Sequence, residues 1–152
     1  MQPINEMKIE FLSKSSNESF ARLVASGFVA QLDPTLEELL DIKTSVSEAV
    51  TNSIIHGYES LDNKIIKMHC KLFDDGIEIN IIDNGVGIAD INKACEPLFT
   101  SKPDMERSGM GFTVMETFMD HVDVHSQLGH GTTVTMYKKI KTKKHLCNTF
   151  EA

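Results

Sequence analysis

Glu48 and Asn52 stand four residues apart in Glu48-Ala49-Val50-Thr51-Asn52, inside a stretch whose apolar residues keep helical spacing. Residues four apart share a helix face, so a carboxylate and an amide point the same way, and His56 extends the stripe by another turn. Further on, Asp83 starts the glycine turn Asp83-Asn84-Gly85-Val86-Gly87. Gly109-Met110-Gly111 leads into a third helix, and Gly129-His130-Gly131-Thr132 sits at a hairpin turn. An ionised carboxylate only accepts hydrogen bonds. Buried in a base slot, Asp83 would accept from the exocyclic amino group of adenine. Guanine presents a carbonyl at that position, and two acceptors face to face are rejected. Backbone N–H groups at a glycine-rich helix start cradle phosphate and gain from the helix dipole. Arg107, just before those glycines, could reach a γ-phosphate and stabilise charge in phosphoryl transfer, and Lys102 is a weaker candidate of the same type. Together, and in this order, the strings describe one adenine-nucleotide pocket.

Each string alone has a plainer reading. Glu48 and Asn52 can be a solvated stripe, although an Asn in mid-helix costs some propensity and wants a polar partner. Asp-Asn-Gly also serves as a simple turn after a strand. A lone G-x-G is weak, Gly129 and Gly131 are expected at a hairpin, Arg107 can be a surface arginine, and His56 reads as a structural end-of-helix residue.

The elements that must hold these residues follow from periodicity. Residues 7–11 alternate apolar and charged, as a half-buried strand does. Ser15-x-x-Glu18 predicts a capping box and a helix to about residue 32, with Phe20, Leu23, Val24, Phe28 and Leu32 buried and Glu18, Arg22 and Ser26 on the opposite face. Asp33-Pro34-Thr35 breaks the chain. Thr35-x-x-Glu38 then opens a second helix that runs to Gly57, with Leu39, Leu40, Val46, Val50 and Ile54 as its apolar face. Two alternating strands, 66–72 and 77–81, flank Asp74-Asp75-Gly76, a strong hairpin signal. From 88 to 108 the periodicity fades between Pro97 and Pro103, and a loop that long suggests a lid. A helix over 111–120 and strands over 121–127 and 132–140 complete a single domain over 1–152, its tail after about 143 mobile. Clustered hairpins with grouped helices predict an α/β two-layer sandwich, with helices on one face of a mixed, largely antiparallel sheet.

Composition narrows the function classes. The 152 residues are 41% hydrophobic and 24% charged, as in a soluble globular protein, and no apolar run approaches the ~20 residues of a membrane span. A net charge of −7 argues against direct nucleic-acid binding. Cys70, Cys95 and Cys147 show no C-x-x-C spacing, so neither disulfides nor a zinc site are expected. A cytoplasmic protein is the default. The basic cluster Lys138, Lys139, Lys141, Lys143 and Lys144 reads as a solvated edge that discourages strand pairing.

In its four strings the chain resembles the ATP-binding superfamily of type II topoisomerases, Hsp90 chaperones, sensor histidine kinases and mismatch-repair ATPases. The resemblance spans nearly the whole sequence. Asn17-Glu18-Ser19-Phe20-Ala21-Arg22, residues 28–35, residues 97–103 and Glu106-Arg107-Ser108-Gly109-Met110-Gly111-Phe112 read much like the serine-kinase anti-sigma factors of the sigma-F sporulation system. The second catalytic domain of the topoisomerases and the phospho-accepting helix of the sensor kinases are not in this sequence. The resemblance implies that ATP lies between the helical layer and the lid. It makes Asn52 the ligand of a magnesium ion that bridges the phosphates, an ion suited by oxygen ligation largely from water and phosphate. It makes Glu48 the general base and Arg107 a catalytic partner. Asp83, Gly85, Gly87 and Thr132 would hold the adenine, with Gly109, Met110, Gly111 and Phe112 at the phosphates. It further implies a homodimer that holds a sigma-F-type sigma factor inactive and phosphorylates a serine of a small anti-anti-sigma protein, with Glu18 and Arg22 as docking residues. A pure nucleotide switch or a detached histidine-kinase domain are the competing classes. Glu48 favours chemistry, because a switch needs no base.

Overall fold

Alternation of period two places every second side chain on one face of a strand, and four antiparallel pairings here align those faces into one. The computed structural model describes residues 1–96 and 111–141. Its strands are β1 (Asn5–Leu12), β2 (Ile65–Phe73), β3 (Gly76–Asp83), β4 (His121–Gln127) and β5 (Gly131–Lys139), in the sheet order β1-β2-β3-β5-β4. All four neighbouring pairs are antiparallel, so the sheet is wholly antiparallel rather than mixed.

The register stacks the inward side chains into rows across the sheet. Met7, Cys70, Ile79, Met136 and Val122 form one row, and Ile9, Met68, Ile81, Val134 and Val124 the next. The row after that begins apolar with Phe11 and Ile66, then turns polar through Asp83, Thr132 and Ser126. The outward face carries Lys67 paired with Glu10, His69 with Glu6, and Lys71 with Glu78. Only one face is apolar, so only one face attracts helices.

The covering layer is α1 (Ser16–Val29), α2 (Leu36–Asn52) and α4 (Gly111–Phe118), with a short α3 (Ile91–Ala94) at the edge of the described region. The α2 capping box forms as its sequence predicts: Glu38 N–H donates to Thr35 Oγ1 (3.1 Å) and Thr35 N–H to Glu38 Oε1 (2.8 Å). The other oxygen of Glu38 accepts the N–H of Lys141 at 2.8 Å, tying the helix start to the end of the sheet. Burial alone would push this carboxyl up, but the N–H groups of Thr35 and Lys141 and the Thr35 hydroxyl together hold it below its usual value.

The first helix departs from expectation. Ser15 is itself helical and makes no side-chain cap, so no capping box forms there. The face turned inward is Ala21, Ala25 and Val29, all fully buried, while Phe20 is 48% and Leu23 70% exposed. Val24, Phe28 and Leu32 are only partly buried. Small residues let the backbones of α1 and α2 approach, and that contact outranks the larger side chains. On α2 the buried residues are Glu38, Ile42, Ser45, Val46, Ala49 and Val50, with Leu40 51% exposed. The helix α3 lies where sequence periodicity had suggested only loop. Of the proposed lid, residues 97–108 lie outside the described residues, as do the tail and Cys147.

Candidate nucleotide site

The site lies where the polar corner of the sheet meets the end of α2. Helical spacing puts Glu48 and Asn52 on one face of the last turns, and α4 begins directly over them. A Cβ built on Gly111 would stand 3.0 Å from Asn52 Nδ2, 3.3 Å from Asn52 Oδ1 and 3.3 Å from Glu48 Oε2. A side chain there would crowd the amide and the carboxylate, which would have to give way by a few tenths of an ångström. The carboxylate, the amide and the N-terminal end of a helix therefore converge within van der Waals reach of one point. Phe112, on the first turn of α4, packs against the core rather than standing free. Among the described residues no group of three or more His, Cys, Asp or Glu could hold a metal. A magnesium ion that keeps its waters and phosphate oxygens needs only one or two protein oxygens, and Asn52 Oδ1 with its neighbour Glu48 fits that demand.

Past Asn52 the chain widens into a π-helix over Ser53–Gly57. Such bulges occur mostly inside helices at functional sites. Here the first residue of the bulge donates to the adenine candidate, Ser53 Oγ to Asp83 Oδ2 at 2.9 Å. Gly85 N–H donates to Asp83 Oδ1 at 3.0 Å. Asp83 is 4% exposed. Burial pushes its carboxyl above the usual range, against the opposing pull of the Gly85 N–H, the Ser53 hydroxyl and the Thr132 N–H. Thr132 is its direct cross-strand partner and projects to the same face. Gly87 takes φ 76°, a left-handed conformation that glycine adopts without cost, and its Cα faces the carbonyl of Gln127 so closely that a Cβ would lie 2.3 Å from it.

Three residues of this framework escaped the sequence reading. Ser53 follows Asn52 directly and is buried, which the helical stripe alone does not reveal. Tyr58 accepts the N–H of Asn84 at 2.8 Å and donates to Ile65 O at 2.5 Å, fixing the turn after β3 to the start of β2 and the end of the π-helix. Ser126 enters through register alone, opposite Thr132.

Glu18 and Arg22 do not lie on a free face. Glu18 Oε1 accepts the hydroxyl of Ser47 on α2 and stands 3.7 Å from Arg22 Nε. Arg22 Nη2 donates to Ser19 Oγ at 3.2 Å. Both side chains are half-buried at the seam of α1 and α2, because the helix turns its alanine face inward and rotates them towards that seam. Arg107, Gly109, Met110 and Lys102 lie outside the described residues. No described helix is long and apolar enough to cross a membrane.

Comparison with known proteins agrees with this geometry. The family model described as a histidine kinase-like ATPase domain matches residues 13–138. The anti-sigma F factor of Clostridium novyi (strain NT) is 58% identical over 138 residues, covering 91% of this chain and 96% of that protein. That of Clostridium botulinum (strain Alaska E43 / Type E3) is 60% identical over 135 residues, covering 89% and 94%. That of Geobacillus kaustophilus (strain HTA426) is 55% identical over 144 residues, covering 95% and 99%. Among solved structures, the RsbU and RsbW domains of a Mycobacterium tuberculosis protein superpose with a TM-score of 0.67 at 17% identity. That match covers 93% of this chain and 34% of the other, and it speaks for the fold.

Proposed function

The chain belongs to the histidine kinase-like ATPase family and, within it, to the anti-sigma F factors, and from that premise we propose that it is an ATP-dependent anti-sigma factor and protein serine kinase. In this reading it holds a sigma-F-type sigma factor inactive and phosphorylates a serine of a small anti-anti-sigma protein, acting as a homodimer in the cytoplasm and in control of sporulation. The observation that carries the reading is the meeting of Glu48 and Asn52 with the start of α4 at Gly111, beside the buried Asp83–Thr132 corner.

Each residue then has a task. Asp83 accepts the adenine amino group and turns guanine away. Thr132 flanks it with a hydroxyl, and Gly85 and Gly87 bring the backbone close to the base. Asn52 offers its amide oxygen to magnesium, which when bound neutralises phosphate charge. The phosphates are assigned to the glycine run Gly109-Met110-Gly111 and to Phe112. Glu48 takes the proton of the attacking serine hydroxyl, and such positioned transfer is typically worth ~10²–10⁴ in rate. Arg107 supplies positive charge at the γ-phosphate. Glu18 and Arg22, bordering the exposed Phe20 and Leu23, form the polar rim of a docking surface for the sigma factor and the substrate.

The test is to incubate the purified protein with radiolabelled ATP and an anti-anti-sigma protein, and to assay sigma-factor retention with and without ATP. Acid-stable phosphate on the substrate and ATP-dependent retention are expected. Acid-labile phosphate would instead mark a histidine kinase, and retention indifferent to nucleotide would sink the ATP-dependent mechanism.

A further inference from the structure

The polar corner of the sheet contains one group that none of these roles uses. Ser126, the last polar member of the row Asp83–Thr132–Ser126, makes three short contacts with a single hydroxyl. Ile88 N–H donates to Ser126 Oγ at 2.7 Å. The same oxygen lies 2.8 Å from Thr132 Oγ1 and 3.0 Å from Gly131 O. A serine hydroxyl has one proton and two lone pairs. One lone pair is taken by Ile88. Gly131 O can only accept, whereas Thr132 can donate or accept.

Two proton arrangements are open to this network, and only the first also serves Gly131 O. In the first, Thr132 donates to Ser126 and Ser126 donates to Gly131 O. In the second, Ser126 donates to Thr132 and gives up its bond to Gly131 O, which frees the Thr132 proton for an acceptor in the pocket. A bound base that accepts from Thr132 selects the second. Ile88 keeps its bond in both, so the first residue beyond Gly87 is held by the same oxygen that serves Thr132. From this we infer that Ser126 is a positioning residue for the adenine end of the site: it supplies Thr132 with a partner in both the free and bound states and fastens Ile88 beside the base. The inference rests on reading the pocket as an adenine-nucleotide site.

Ser126→Ala removes both functions and leaves a small side chain on an edge strand. Ser126→Thr keeps the hydroxyl and adds a methyl that strands tolerate well. ATP affinity should fall about tenfold in Ser126→Ala and recover in Ser126→Thr. Phosphoryl transfer at saturating ATP should stay within about twofold of wild type in both, so the loss appears in KM and not in kcat. Without any nucleotide, the Ile88 amide should exchange faster in Ser126→Ala alone. Unchanged ATP affinity in Ser126→Ala, a Ser126→Thr variant as impaired as Ser126→Ala, or an Ile88 amide indifferent to both changes would each overturn the inference while leaving the nucleotide reading intact. A wild-type protein that binds no ATP would overturn both.

Discussion

Replacing Asp83 by Asn separates what the fold asks of this side chain from what the nucleotide asks of it, and the two consequences have opposite signs. The substitution is isosteric. With its amide oxygen where Oδ1 now stands, the variant keeps the 3.0 Å bond from Gly85 N–H. Its NH2 group then faces Ser53 Oγ, now 2.9 Å from Oδ2, and a serine hydroxyl can turn from donor to acceptor. The Gly85 and Ser53 contacts both persist, Thr132 N–H keeps a partner only where it faces the amide oxygen, and a charge disappears from a residue only 4% exposed. Because burial raises the folded-state pKa of Asp83 above its unfolded value, its contribution to stability is full below the unfolded pKa and is lost as pH rises through the folded one. Free of nucleotide, Asp83→Asn should therefore melt at or above the wild-type temperature near neutrality, and the advantage should vanish in acid. ATP binding should move the other way. A hydrogen bond to a charged group contributes ~1.5–3 kcal/mol, so affinity should fall about 10- to 150-fold. Wild-type ATP affinity should also weaken on acidification as Asp83 takes up its proton, at a higher pH than for an unperturbed aspartate. Calorimetric titration with ATP and GTP, beside thermal melts at neutral and acid pH, measures all of this. Undiminished ATP affinity in Asp83→Asn, or equal affinity of the wild type for ATP and GTP, would refute the reasoning.

Glu48→Gln keeps shape and polarity but removes the base, so phosphorylation should fall ~10²-fold or more while ATP binding and sigma-factor retention survive; full kinase activity excludes the role. Gly111→Ala sets a methyl 3.0 Å from Asn52 Nδ2, so the magnesium-dependent part of ATP binding should weaken, and overpacking should cost ~1–3 kcal/mol in a denaturant melt. Tyr58→Phe strips Asn84 N–H and Ile65 O of their shared partner, and because both residues are exposed the loss should be about 0.5–1.5 kcal/mol per bond; an unchanged melt refutes the reasoning. Arg22→Glu breaks an ion pair with Glu18 worth at most ~1 kcal/mol to the fold, yet at a docking surface the reversed charge should abolish capture of the sigma factor or the anti-anti-sigma protein. Native melting with undiminished capture of both moves the docking surface elsewhere.

Most of the fold was legible because its signals are local. The β2–β3 hairpin declares itself in Asp74-Asp75-Gly76, and the α2 capping box forms between residues three apart. The failures arise where a distant partner decides. Ser15 and Glu18 spell a capping box, but Ser47, 29 positions on, takes the Glu18 carboxylate instead. Hydrophobicity ranks Phe20 and Leu23 above Ala21 and Ala25, yet the close approach of α2 reverses that order. The same division runs through the site. Glu48, Asn52 and Asp83 announce themselves by type and spacing. Ser53 and Ser126 acquire their contacts only from a π-helical turn and a strand register that no short window encodes.

The sheet order has a consequence for synthesis. Strands β1, β2 and β3 emerge from the ribosome in spatial sequence, but the neighbour that completes β3 is β5, the last of the described strands to be made. Until then β3 stands as an open edge bearing Ile77, Ile79 and Ile81, an exposed template for wrong pairing. Thr132 meets Asp83, and Ser126 meets Thr132, only when that edge is covered, so a chain that stops before β5 lacks the polar corner. On the proposed reading of that corner, nucleotide binding would require that translation has reached the end of β5. ATP, by favouring the completed form, would act on newly made chains as a ligand that selects against truncated ones.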